Sequence, residues 1–258
     1  MNDKERQQKI KEYWEKCTPM NFTAEKWSYA QKREFRYGLQ DYMHESFRFG
    51  DWAGKKVLEI GCGSGVDAME FARNGATVTA TDMTDNAANL TRALAEEAGL
   101  SVKVVQTSAT KLPFADASFD CVYSFGVLHH IPDVGAALGE IKRVLRDGGT
   151  LMAMLYNKNS LLYAYSIAYR HGIVDGLLLN GLCSETELVS RYSERIEGCP
   201  YTKAYTREEA KVFFSEWFRD VDVTVRYNVI DTAAERKVKT CLDDKWELGW
   251  HLIVKAKK

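Results

Sequence analysis

The chain has 258 residues and six cysteines, at positions 17, 62, 121, 183, 199 and 241, but no C-x-x-C pair. Zinc ribbons and thiol redox motifs need such close pairs, so neither reading has support and no metal site is expected. A reduced, cytoplasmic compartment is the simpler inference. There is also no charge excess. The 35 Lys+Arg and 36 Asp+Glu leave a net charge of −1, which argues against a nucleic-acid binder held by an overall positive field. No apolar run opens the chain. Met1–Lys16 is charged throughout, so a signal peptide is not expected. Nor is there the unbroken apolar stretch of about 20 residues that a membrane span requires. The nearest approach, Leu161–Leu182, is interrupted by Arg170, His171 and Asp175 and is read as a lid or core helix pair, with contact at a membrane surface the lesser alternative. Internal repeats and low-complexity linkers are absent as well.

What remains is ordinary for a globular protein: 45% hydrophobic and 28% charged residues, in a length that suits one large domain with an insertion. Residues 1–52, rich in aromatics and charges, are predicted to form a helical N-terminal cap. From residue 53 onward the pattern alternates. Lys56–Ile60, Ala76–Thr81, Val102–Gln106, Phe119–Ser124 and Thr150–Leu155 are predicted strands. Val66–Asn74, Asn86–Ala98 and Val134–Leu145 are predicted helices between them. Such alternation implies parallel strands joined by right-handed crossovers. Val221–Tyr227 and His251–Ala256 are two later strands, and Thr206 is placed to cap a helix running through Ala210–Phe218. An insertion at about 156–207 is positioned to cover a site at the carboxyl ends of the strands.

The most informative stretch is Glu59-Ile60-Gly61-Cys62-Gly63-Ser64-Gly65, directly after a strand and before a helix. Glycines permit a sharp turn and close approach of backbone to a ligand. A dinucleotide fingerprint would read G-x-G-x-x-G, but its third glycine would fall at Val66. An acid beside the turn would also repel a pyrophosphate. S-adenosylmethionine carries no phosphate, and Glu59 is compatible with it, either through local negative potential or by orienting the turn. Asp82, ending the second strand, can accept from both ribose hydroxyls, and Met83 can lie against adenine.

The stretches VLEIGCGSG, ATDMT, SATKLPFADASFDCVYSFGVLHHIPD and EIKRVLRDGGTL resemble the class I S-adenosylmethionine-dependent methyltransferases over about residues 53–156, with a weaker echo toward the C-terminus. That resemblance implies a Rossmann-like, doubly wound α/β fold with seven strands, mostly parallel, the last antiparallel. The domain would run over 53–258, with a helical N-terminal extension and a helical lid insertion. It implies cofactor contacts at Glu59, Gly61, Gly63, Asp82, Met83, Ser108, Ala109 and Phe125. Ser108 stands where many relatives carry Asp, and it can accept a hydrogen bond without charge.

Methyl transfer from a sulfonium needs in-line alignment, and a base only when the nucleophile arrives protonated. His129 and His130 follow the fourth strand, where an imidazole has a suitable ordinary pKa, with His129 ranked first. Tyr29, Tyr37, Tyr156, Tyr201 and Tyr205 are candidate walls of the acceptor site, since aromatic faces stabilise cations. The resulting expectation is an enzyme acting on a small molecule, with S-adenosylhomocysteine as product, no nucleic-acid partner and no stable membrane insertion. The rival readings are a C-methyltransferase of a prenylated quinone, an NAD-linked oxidoreductase and a non-catalytic cofactor-binding protein. Arsenic and nucleic-acid methyltransferases rank lower, for want of a cysteine cluster in the first case and of a basic domain in the second.

Overall fold

A computed structural model describes residues 3–17, 27–194, 198–231, 237–240, 242 and 244–258. Cys241 and the first two residues of the chain therefore lie outside the described residues. Three helices, α1 (Asp3–Lys16), α2 (Tyr29–Leu39) and α3 (Met43–Phe47), precede the first strand. The alternating region follows as β1 (Lys56–Ile60), α4 (Val66–Arg73), β2 (Thr77–Asp82), α5 (Asp85–Glu97), β3 (Val102–Gln106), β4 (Phe119–Phe125), α6 (Val134–Val144) and β5 (Leu145–Tyr156). After it come a π-helix (Leu162–Val174), α7 (Glu185–Tyr192), α8 (Arg207–Ser215), β6 (Arg219–Arg226), the short strands β7 (Val229–Asp231) and β8 (Lys237–Lys239), and β9 (His251–Lys257).

Seven strands form one sheet in the order β3-β2-β1-β4-β5-β9-β6. β1 to β5 run parallel, and β9 lies antiparallel between β5 and β6. The strand order reverses direction between β1 and β4, which in doubly wound sheets opens a crevice at the carboxyl ends. Period-two alternation divides the core between the two faces of the sheet. Leu151, Ala153 and Leu155 of β5 join the cluster built with α6 and α8. Met152, Met154 and Tyr156 join the opposite cluster with Phe47, Phe49 and Phe71.

The expected fold is therefore observed, with shifts of detail. β5 starts five residues earlier than expected, continuing straight from α6. Thr206 does cap α8, with its hydroxyl accepting from the Glu209 N–H and Glu209 returning the bond. The antiparallel β7–β8 pair was not expected. Leu161–Leu182 is not a helix pair: it forms a single π-helix followed by turns, and Tyr165, Tyr169, Val174, Leu179 and Leu182 of this stretch point outward to solvent. Among the described residues no helix is long and apolar enough to cross a membrane.

The N-terminal helices are tied to the sheet by charge. The Arg36 guanidinium pairs with Asp67 at 2.6 Å and lies 4.1 Å over the Phe125 ring, while Arg33 pairs with Glu70 at 2.6 Å. Asp67 also accepts from the hydroxyls of Tyr37 (3.1 Å) and Tyr123 (2.8 Å). A buried charge is tolerated only when paired and hydrogen-bonded, so this network fixes where α2 sits on α4.

Candidate active site

A cavity of about 1050 Å³, open mouth included, lies at the carboxyl ends of β1 to β4. Each wall comes from a different strand end. Gly61 and Gly63 follow β1, Asp82 to Thr84 close β2, Thr107 to Thr110 follow β3, and Phe125 to Val127 close and follow β4. This is the crevice that the strand order demands.

The glycine turn is held by its own backbone. The N–H groups of Gly61 and Cys62 both donate to the Thr81 carbonyl, at 2.7 and 2.9 Å, and Gly65 N–H donates to the Cys62 carbonyl at 2.7 Å. Gly63 N–H donates to Oδ2 of Asp82 at 3.1 Å. Four of the amides that a pyrophosphate would need are thus already engaged. Gly61 has φ +72°, and a Cβ there would fall 2.2 Å from a methyl of Val127. Only glycine satisfies both the dihedral and the space.

Asp82 is the charged group at the centre of the cavity wall. Oδ1 accepts from the N–H (2.9 Å) and hydroxyl (2.8 Å) of Thr84. A carboxylate offers about four acceptor sites and three are used, so capacity remains on Oδ2 for a ligand hydroxyl. Burial pushes its pKa up, and the backbone N–H groups of Thr84 and Gly63 oppose that. Ser108 also lines the cavity, with its Oγ 2.9 Å from the Thr110 hydroxyl. Met83, Ala109 and Phe125 complete the set, so seven of the eight residues expected to hold the cofactor meet in one space.

Glu59, the eighth, stands behind the turn instead. It is buried, and its Oε2 has no hydrogen-bond partner. Burial drives its pKa well up, Asp67 adds to that, and Arg36 and the Ala68 backbone counter it. Ala68 belongs to the first turn of α4, whose own N-cap, Gly65, supplies no side-chain cap. The acid thus orients the turn and helix rather than lining the ligand space.

The N-terminal helices were expected to help enclose the site, but the lining residues were not among the candidates. Gln7, Ile10 and Trp14 of α1 line the cavity from above. α1 is latched to α5: both carboxylate oxygens of Glu15 accept from the Asp85 and Asn86 N–H groups, at 3.0 and 2.9 Å, and Lys11 reaches Asp85 at 3.5 Å. An acid capping free N–H groups of a helix start is favourable, but its spacing of 70 residues leaves no sequence signal.

The two histidines separate. They share a 3-10 turn (Leu128–His130), and only His130 lines the cavity. His129 is fully buried, its ring 4.0 Å from that of Tyr156, and neither ring nitrogen has a hydrogen-bond partner. His130 lies edge-on to Trp14 at 4.8 Å. Its Nδ1 is 3.1 Å from both the Tyr201 carbonyl and the Thr202 hydroxyl, and the tautomer that donates from Nδ1 to the carbonyl leaves the lone pair on Nε2. Nε2 lies 3.5 Å from Oε1 of Glu194, and that oxygen accepts from the Tyr156 hydroxyl at 2.8 Å.

None of the five candidate tyrosines lines the cavity. Tyr37 binds Asp67, Tyr156 binds Glu194, and Tyr29 and Tyr205 are buried in packing. Tyr201 lines a second cleft, on the far side of His130. Among the described residues no group of three His, Cys, Asp or Glu side chains is arranged to hold a metal.

Burial pushes the His129 pKa well below its ordinary 6.5, with His130 and His251 adding to the effect. Burial lowers the His130 pKa too, against Glu194. The folded state therefore resists a proton that the unfolded chain accepts below pH 6.5. This stability is present above that pH and is lost as pH falls. Between pH 6.5 and 5.5 the unfolding free energy should drop by about 1 kcal/mol for His129, and by up to a similar amount for His130. Denaturant titrations at the two pH values check this, and His129→Gln should remove its share. An equal pH dependence in the variant would show that His129 is not the cause.

Residues 58–153 match the family described as "Methyltransferase domain". The chain is 35% identical over 114 residues to a ubiquinone biosynthesis O-methyltransferase of Dinoroseobacter shibae, covering 44% of this chain and 46% of that one. It is 40% identical over 116 residues to a fatty-acid O-methyltransferase of Mycolicibacterium smegmatis, covering 44% and 41%. The chain thus spans about half or less of the curated relatives it matches. Among solved structures, a protein of Methanosarcina mazei described as a SAM-dependent methyltransferase superposes with a TM-score of 0.58 at 23% identity, covering 79% of this chain and 92% of that one.

Proposed function

We propose that this chain, whose residues 58–153 form a class I S-adenosylmethionine-dependent methyltransferase domain, moves a methyl group from S-adenosylmethionine to an oxygen of a small molecule. The observation that carries the reading is the cavity itself. Gly61, Gly63, Asp82, Met83, Ser108, Ala109 and Phe125 converge there, beside a glycine turn in which four amides are already engaged. Asp82 would hold the ribose hydroxyls, Met83 and Ala109 would flank the adenine, and the Phe125 edge of the cavity would face the sulfonium.

The bound cofactor supplies an already electrophilic methyl group. The chain must then align the acceptor, keep water out and take up a proton. α1 roofs the space with Ile10 and Trp14. His130 takes the acceptor's proton at Nε2, in the tautomer that donates from Nδ1 to the Tyr201 carbonyl, and Glu194 stabilises the imidazolium that results. Oxygen as the acceptor atom accords with this need for a base and with the printed names of the two relatives. A reducing compartment, the cytoplasm, accords with the free thiols of Cys17, Cys62, Cys121, Cys183 and Cys199. No nucleic acid is expected as partner.

A thermal-shift panel tests the cofactor. S-adenosylhomocysteine at 100 times its Kd should add about 2.7 kcal/mol of stability by linkage, and reduced nicotinamides none. Stabilisation by the nicotinamide alone would reverse the assignment.

A further inference from the structure

A second cleft of about 840 Å³, open mouth included, lies between α1 and α7, on the other side of His130 from the cofactor cavity. Arg6 of α1 and Arg191 of α7 line it, together with Ser190, Tyr201 and Cys199. Neither guanidinium forms an ion pair or hydrogen bond among the described residues. That sets them apart from Arg33, Arg36, Arg143, Arg146 and Arg207, each of which holds a carboxylate. Glu187 also lines the cleft, but its Oε2 is taken by the Ser184 N–H and hydroxyl at 2.8 Å. Among the described lining residues, two guanidinium charges less one carboxylate leave one net positive charge, which matches a single carboxylate better than a dianion. Arg guanidinium groups favour planar oxyanions because their N–H forks can bind both oxygens.

The cleft is close to the chemistry. Cys199, on its wall, has its sulfur 3.7 Å from Nδ1 of His130, which lines the cofactor cavity. The Thr202 hydroxyl lies 3.1 Å from the same nitrogen. The Tyr201 residue that walls the cleft is also the one whose carbonyl lies 3.1 Å from Nδ1 of His130. An acceptor long enough to span this distance would present one end to His130 and the other to the two arginines.

We propose that the cleft binds the carboxylate of the methyl acceptor through Arg6 and Arg191, so that the acceptor is an organic acid with its nucleophile at the opposite end. This rests on the methyltransferase reading above. The test is calorimetry on protein saturated with S-adenosylhomocysteine, using benzoate and the isosteric but neutral benzamide as probes. Benzoate should bind at least 10-fold more tightly than benzamide. Arg191→Ala, at an exposed position, should bring benzoate down to the benzamide level, and Arg6→Ala should act in the same direction. Affinity for S-adenosylhomocysteine should be unchanged in both variants. Benzoate binding no tighter than benzamide, or binding with full affinity to the Arg191 variant, would overturn the proposal. Failure of S-adenosylhomocysteine itself to bind would instead remove the methyltransferase reading, and the probe comparison on the free protein would still decide the cleft.

Discussion

Replacing Asp82 by alanine should weaken S-adenosylhomocysteine binding at least 100-fold, about 2.7 kcal/mol. The argument is one of hydrogen bonds to a charged acceptor, each worth roughly 1.5–3 kcal/mol. Asp82 already fixes Gly63 and Thr84 through the lone pairs that point into the protein. About one acceptor site remains, on Oδ2, for a donor of the ribose diol. Alanine removes all of these together and releases the turn. Asp82→Asn separates the two effects. It keeps one oxygen for Thr84, loses one acceptor and the charge, and should fall between wild type and alanine. Titration calorimetry reads both, with the melting temperature of the free variants as a check on the turn. Affinity within threefold of wild type in the alanine variant would remove Asp82 from the sugar site.

The second large effect is expected at His130. With His130→Gln, kcat should fall by roughly 10²–10⁴, the range for loss of a positioned base. S-adenosylhomocysteine affinity should change less than about twofold, because the imidazole meets the acceptor and not the sugar. His129→Gln, one residue earlier, should leave kcat within a few-fold, since that ring is packed against Tyr156 and not at the cavity. In the wild type, rate should be flat near neutrality and fall on acidification below pH 6.5, because burial lowers the His130 pKa and the base works only when neutral. Full turnover in the His130 variant would end its role as base. An equal loss at both positions would point to packing.

What could be read from sequence was local. β1, the glycine turn and α4 are contiguous, and each element constrains the next: a short apolar run, three glycines at fixed spacing, then an amphipathic helix. Asp82 was legible for the same reason, as the acid that ends the neighbouring strand. The histidine ranking was not, because successive residues in a 3-10 turn project about 120° apart. Which of the two rings faces the crevice depends on how the turn is docked. A cover from the N-terminal helices could be expected, but not the docking of α1, because Glu15 and the N–H groups it caps lie 70 residues apart. The tyrosines were chosen on residue type alone, and none of them lines the cofactor cavity. Tyr37 and Tyr156 are held by carboxylates, Asp67 and Glu194, whose positions follow only from tertiary packing. The insertion's helix was sensed, but not its π-type winding or its outward-facing apolar side chains.

The self-contained bonding of residues 61–65 also bears on how quickly and how tightly a ligand can be captured. A loop that must solidify around its guest surrenders conformational entropy at the moment of encounter, and affinity and association rate both suffer. Here Thr81 and Asp82 hold the loop's shape before anything arrives. The guest meets a rigid socket, and nearly all the attraction it makes with that wall is retained as affinity.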